Sequence, residues 1–224
     1  MKVIGTIAVQ SLSGRNGAAK HNQNNTAGRF KRPSNPRSSA QSKVRALFTT
    51  NTKAWGNLTD AQRNAWIALG SGLKATDRIG NKHVIKGKQT YSRVNNNLLG
   101  AGSAAVSAAP SDQTVIAPTA ASFNTNTSSV QTLTFAATPV PASTAYIFKA
   151  TKPLSAGYST PPKSAFRVVK YIPAATATGY NSFADYTAIF GTPVTGKKIF
   201  GQLIAINLTN GAKSAPISFV GTTA

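Results

Sequence analysis

The stretch IFGQLIAINLTNGAKSAPISF, residues 199–219, decides how the second half of the chain folds. Residues 199–208 are uncharged and rich in β-branched and apolar side chains, the composition of a strand buried in a sheet. Asn210 and Gly211 supply a turn, and a second run, 217–220, begins behind Pro216. Upstream, short runs of the same kind recur between Pro, Gly and Asn clusters, at 130–135, 145–150, 166–171 and 186–190, with an opening strand around 120–123. Seven short strands in about 105 residues predict an antiparallel β-sandwich over 119–224, of the immunoglobulin-like or fibronectin-like kind.

Ahead of it, AGSAAVSAAPSDQTVIAP (101–118) is a break in composition and reads as a linker. Residues 40–100 read as helical. Val44, Leu47, Phe48 and Trp55 recur at helical spacing up to Gly56, and Thr59 with Gln62 forms a capping box that opens a second helix. Ala65, Trp66 and Leu69 stripe that helix before Gly70 and Gly72. Two helices joined by three residues predict an antiparallel hairpin that brings Trp55 and Trp66 together as core. A basic loop at 74–88 leads to a short third helix, 89–99, with Tyr91, Val94 and Leu98 on one side. Residues 1–39 predict a strand at 2–12 and then an extended basic arm with two prolines and little to bury. The expected class is therefore α+β and multidomain.

Charge is the strongest functional signal. The chain has 25 Lys and Arg against four Asp, no Glu, and a net charge of +21. Residues 1–100 hold 17 of the bases and two of the acids, so the first half is the one expected to face an anionic partner. Arg15, Lys20, Arg29, Lys31, Arg32, Arg37, Lys43 and Arg45 form the densest run and are the candidate contacts to nucleic acid or an acidic partner. Phe30 is the lone aromatic of the arm, so any nucleic-acid contact is expected to be backbone-directed and blind to sequence. No window reaches the roughly 20 apolar residues of a membrane span, and a soluble protein made in a cytoplasm is expected.

Catalytic chemistry finds little to work with. The absence of Cys removes thiolate nucleophiles and Cys-based zinc sites. Asp60, Asp77, Asp112, Asp185, His21 and His83 form no motif, although Asp77 and His83 flank one loop. Gly191–Lys197 resembles a phosphate-binding loop, but Lys198 stands where a magnesium-binding hydroxyl belongs, and a strand follows where a helix is required. A turn carrying two lysines is the better reading. The expectation is a non-enzyme with no cofactor, no metal and no small-molecule substrate.

Two resemblances add to this. Residues 199–219 resemble the last hairpin of fibronectin type III domains, with Ala205, Asn207, Gly211, Ser214 and Pro216 in the matching places and Ile199 near that of the family's corner tyrosine. Residues 28–102 resemble an uncharacterised phage-associated structural family. The match runs through Asn35, Pro36, Ser39, Ala40, Gln41, Val44, Arg45 and Phe48, then Trp55, Leu58, Thr59, Ala61, Gln62, Arg63, Ala65 and Trp66. KGKQTYSRVNNNLLGAG (86–102) resembles the short helix that follows in that group. The resemblance implies a bacteriophage virion structural protein of capsid, head-tail or tail. Its partners would be other virion proteins, copies of itself in a homo-oligomer, and packaged DNA, with no membrane. It would be made in the host bacterial cytoplasm and reside in the virion. A sequence-independent DNA-binding or condensing protein, or a host-surface adhesion module, are the alternatives.

Overall fold

The local signals that start and stop the helices are realised as hydrogen bonds. The computed structural model describes residues 38–77, 79–126, 130–136 and 138–223, and the backbone of 14–16, 19–21 and 27–29. Helix α1 (Ser39–Gly56) is preceded by Ser38, whose Oγ accepts the Gln41 N–H at 3.3 Å. Helix α2 (Asp60–Ser71) opens on the capping box: Thr59 Oγ1 accepts from Gln62 N–H, and Gln62 Oε1 accepts from Thr59 N–H at 3.0 Å.

The chain divides into two units, Met1–Ser42 and Lys43–Ala224. Within the first, three strands, β1 (Gly14–Asn16), β2 (Ala19–His21) and β3 (Ala27–Arg29), pair antiparallel in the order β1-β2-β3. The stretch expected to be extended throughout therefore includes a small meander. The strand expected at 2–12 lies outside the described residues.

In the second unit the helices pack differently from the expected α1–α2 hairpin. Helix α2 packs on α3 (Gly87–Gly100), and Tyr91 of α3 stands between the two tryptophans, 5.5 Å from Trp55 and edge-on to Trp66 at 5.2 Å. Trp66 is fully buried and its Nε1–H donates to the Ser107 carbonyl at 2.8 Å. The stripe expected to seal α1 does not: Val44 and Phe48 are 52% and 53% exposed. The physical reason is that α3, which looked like a minor appendage, buries Tyr91, Val94 and Leu98 and so becomes the hub. Two glycines let α2 and its neighbours close up. A Cβ at Gly70 would lie 2.5 Å from the Ile85 carbonyl oxygen, and one at Gly87 would strike Ile67. Between α2 and α3, strands β4 (Lys74–Thr76) and β5 (Lys82–Val84) form an antiparallel ribbon.

Among the described residues, the named strands of the second half pair antiparallel, and one α-helix and a short 3-10 turn at Lys163–Ala165 accompany them. Strands β6 (Ala120–Thr125), β7 (Gln131–Ala136) and β10 (Tyr180–Asn181) form one sheet in the order β10-β7-β6. Strands β8 (Thr144–Ala150), β9 (Arg167–Ile172), β11 (Lys198–Asn207) and β12 (Ile217–Thr222) form another in the order β12-β11-β8-β9. The two share a core in which Phe123, Leu133 and Phe135 meet Tyr146, Phe148, Ile172 and Leu203. The fold is thus mixed α+β.

One expected strand is corrected. Residues 186–190 belong to helix α4 (Phe183–Phe190), and the strand of that region is β10 just before it. Phe183, Tyr186 and Phe190 are spaced as a helix face, and the rings of Tyr186 and Phe190 lie 5.0 Å apart. Gly191, at φ 79°, ends the helix with its N–H on the Thr187 carbonyl. The phosphate-loop lookalike therefore follows a helix and precedes β11, the opposite of a phosphate-binding order.

The 101–118 segment has neither helix nor strand but is hydrogen-bonded on both sides. Asn95 exchanges two hydrogen bonds with the backbone of Val106, and Asn210 Nδ2 donates to the Thr114 carbonyl at 2.8 Å. No described helix is long and apolar enough to cross a membrane. Gly70→Ala is expected to destabilise the protein by about 1–3 kcal/mol in urea unfolding, because the methyl meets rigid backbone. Gly56→Ala, where an added Cβ meets nothing, should stay within about 0.5 kcal/mol.

Candidate anionic-partner interface

All four carboxylates are committed inside the chain. Asp60, in the first turn of α2, pairs with Arg63 at 3.0 Å. Asp77 turns the β4–β5 loop, its Oδ1 accepting the N–H groups of Ile79 and Asn81 at 2.8 Å each. The Asn81 bond is the largest influence holding its carboxyl below the usual range. Asp112 accepts from Thr114 Oγ1 at 2.6 Å and from Asn210, and these bonds lower its pKa. Asp185 binds Lys170 Nζ at 2.8 Å and accepts from the Tyr180 hydroxyl. Burial, the Asp185 hydrogen bond and its charge push Tyr180 up to about 12. Of the expected loop pair, Asp77 is thus engaged by its own turn, while His83 sits exposed on β5 opposite Ala75. His21 lies opposite Gly14 and Ala27 in the small meander. Among the described residues no group of three or more His, Cys, Asp or Glu could hold a metal.

The structure distributes the eight expected cations. In the meander's backbone register Arg15 pairs with Lys20, and Arg29 pairs with Ala19. Lys31, Arg32 and Arg37 lie outside the described residues. Lys43 and Arg45 are exposed on α1.

Folding brings a second set of cations together, joining Lys86 and Lys88 from the end of the basic loop with Arg93 of α3. Lys86, Lys88 and Arg93 line an open groove of about 430 Å³ with Phe48, Thr52 and Asn96, between α1 and α3. Lys86 and Lys88 also line a neighbouring groove of about 460 Å³ walled by Trp55, Ile67 and Val84. Both lysines sit at the start of α3, whose first turn has no acid. There the helix dipole already favours an anion, and each cation costs about 0.3–1 kcal/mol at such a position. Lys86 is itself the N-cap, and a lysine offers no acceptor to the orphan N–H groups.

Beyond Arg93 the positive face continues. Lys149 follows Ile147 on the outward face of β8, and Lys213 follows the β11–β12 turn. Lys213 is pushed down by burial of its ammonium first, and next by the charges of Lys149 and Arg93. Three cations from three elements are therefore held within electrostatic reach of one another. The signal in the sequence was weak: Lys86-Gly-Lys88 where an acid would be favoured is its one local trace.

No protein-family model, no curated protein and no solved structure matches the chain.

Lys213→Met should raise the thermal midpoint at neutral pH by about 1–2 °C, the scale of a favourable surface change. Added inorganic phosphate should stabilise the parent chain more than this variant. The Tyr180 shift predicts an alkaline limb. A folded pKa above the unfolded one stabilises the protein below pH about 10, and that stability is lost as pH rises through about 12. Urea titrations across this window should show a shallower decline for Tyr180→Phe.

Proposed function

We propose that this chain is a bacteriophage virion structural protein, a component of capsid, head-tail junction or tail. Its cationic first half attaches it to an anionic surface of the particle, whether packaged genome or acidic neighbouring subunits. The observation that carries this reading is the commitment of every carboxylate to a structural partner while the excess of cations remains. A chain at +21 repels itself, and the repulsion is relieved at an anionic surface.

The second half is an immunoglobulin-like or fibronectin-like sandwich in this reading. Lettering the strands from β6 to β12 as A, B, C, C′, E, F and G turns the two sheet orders into E-B-A and G-F-C-C′. Strands A, B and E on one sheet and C, F and G on the other are the arrangement of that architecture. Tyr186, in the connection from E to F, donates its hydroxyl to the Thr151 carbonyl at 3.0 Å and ties that connection to the end of strand C. This weakly charged module is the part exposed on the particle or packed against its copies. Residues 1–39 act as the basic arm, Arg15, Lys20, Arg29, Lys31, Arg32 and Arg37 among its contacts, with Lys43 and Arg45 at its root. Attachment is multivalent: many weak charge contacts per subunit are multiplied by the symmetry of the assembly. Nothing in this role calls for catalysis or a cofactor.

Quantitative mass spectrometry of gradient-purified, salt-washed particles tests it. The chain is expected at a fixed copy number that matches a symmetry of the particle. Its absence from washed particles would sink the proposal.

A further inference from the structure

The β4–β5 ribbon is the part of the second unit that packing explains least. Every described residue of its two strands is exposed except Ala75, which is half-buried. Its foot is fixed: the Ile85 N–H donates to the Leu73 carbonyl at 3.3 Å, and the Ile85 side chain is buried. Its tip is set by Asp77, whose carboxylate holds the Ile79 and Asn81 N–H groups, and by Gly80 at φ 100°. At that tip stands Ile79, 87% exposed, the most exposed large apolar side chain described. A two-stranded ribbon wet on both faces is marginal by itself, so this one is held out from a firm base with its apolar residue leading.

The register puts lysines along it. Lys74 lies opposite Val84, and Lys82 opposite Thr76, so both cations fall on one face. Lys86 and Lys88 continue the charge at the foot and into the grooves there. The ribbon's one acid, Asp77, is occupied by its turn. Dimensions then select the partner. The major groove of duplex DNA is about 12 Å wide and admits a two-stranded ribbon, with phosphates along both rims and apolar thymine methyls on its floor. A single isoleucine offers too little apolar surface to hold a protein on a membrane.

We propose that the β4–β5 ribbon enters the major groove of duplex DNA, with Lys74 and Lys82 on the phosphates and Ile79 against the base edges. The proposal deepens the attachment reading above by naming DNA as the anionic surface for this element. It requires no sequence preference beyond the contact of one apolar side chain.

Fluorescence anisotropy of the full chain on random-sequence duplex across a salt series tests it, with polyglutamate and phosphatidylserine vesicles as parallel probes. All the substituted positions on the ribbon are exposed, and unchanged circular dichroism and melting confirm folding. Lys74→Gln with Lys82→Gln should lower the log–log salt slope by about 2, at about 0.9 per phosphate contact. Ile79→Ser should weaken binding about tenfold while leaving the slope unchanged. Suppose ribbon variants bind duplex like the parent while Arg15→Gln, Lys20→Gln and Arg29→Gln together lose slope. The ribbon proposal is then overturned and the attachment reading stands. Binding to polyglutamate without duplex overturns the DNA assignment and leaves acidic neighbours as the surface. Vesicle binding that Ile79→Ser abolishes, with duplex binding untouched, overturns it in favour of a membrane. Binding to none of the three probes overturns both readings.

Discussion

Strands β8 and β11 bury apolar side chains on both faces, and the second unit is built around the need to cover each of them twice. Tyr146, Phe148 and Leu203 point toward the sheet of β6, β7 and β10 and meet Phe123, Leu133 and Phe135. Their neighbours Ile147, Ile204 and Ile206 point the other way, where Ala101 and Tyr171 close over them. Alternation alone would have given a sheet with one wet face. Here the wet face is denied to the central strands. The seam beside them is polar: Asn97 donates to the Gly211 carbonyl, Ser103 to the Leu208 carbonyl and Asn210 to that of Thr114. Such bonds add little net stability each, about 0.5–1.5 kcal/mol, but they fix orientation.

The same arrangement explains where the charge sits. A sequence with 25 bases and four acids cannot neutralise itself, and a fold with apolar central strands must push its cations to helix ends, turns and ribbon edges. Lys86 and Lys88 stand at the helix end that disfavours them, and Lys213 is crowded by Lys149 and Arg93. These positions are tolerated in isolation and improved by any anion. An anionic partner would convert that electrostatic cost into affinity, which is the physical link between this composition and the proposed attachment role.

What could be read from the sequence was local. The Thr59–Gln62 box, the glycine stops and six of the seven strands follow from propensity and periodicity within a window of ten residues. The failures were tertiary. Val44 and Phe48 have helical spacing on α1, but spacing does not say whether a partner exists, and α2 chose α3 instead. Residues 186–190 are β-prone one by one, yet Tyr186 and Phe190 are four apart and pack as helix neighbours. The candidate site divides the same way. Lys43 and Arg45 were legible as charge density, whereas the approach of Arg93, Lys149 and Lys213 joins positions more than fifty residues apart in the chain.

The polar seam has a bearing on how the molecule is made. Asn97 and Gly211 are 114 residues apart, and Ser103 and Leu208 are 105 apart. Helix α3 emerges from the ribosome long before β11, so the side of it that meets the β11–β12 turn waits for that partner until residues 208–211 are made. The sheet of β8, β9, β11 and β12 cannot be finished early, since β11 is one of its two central strands. Helix α3, with Lys88 and Arg93 on it, is consequently made well before the turn that packs on it. The hairpin of residues 198–222 is what completes that packing, so α3 and the sheet reach their final arrangement in one step.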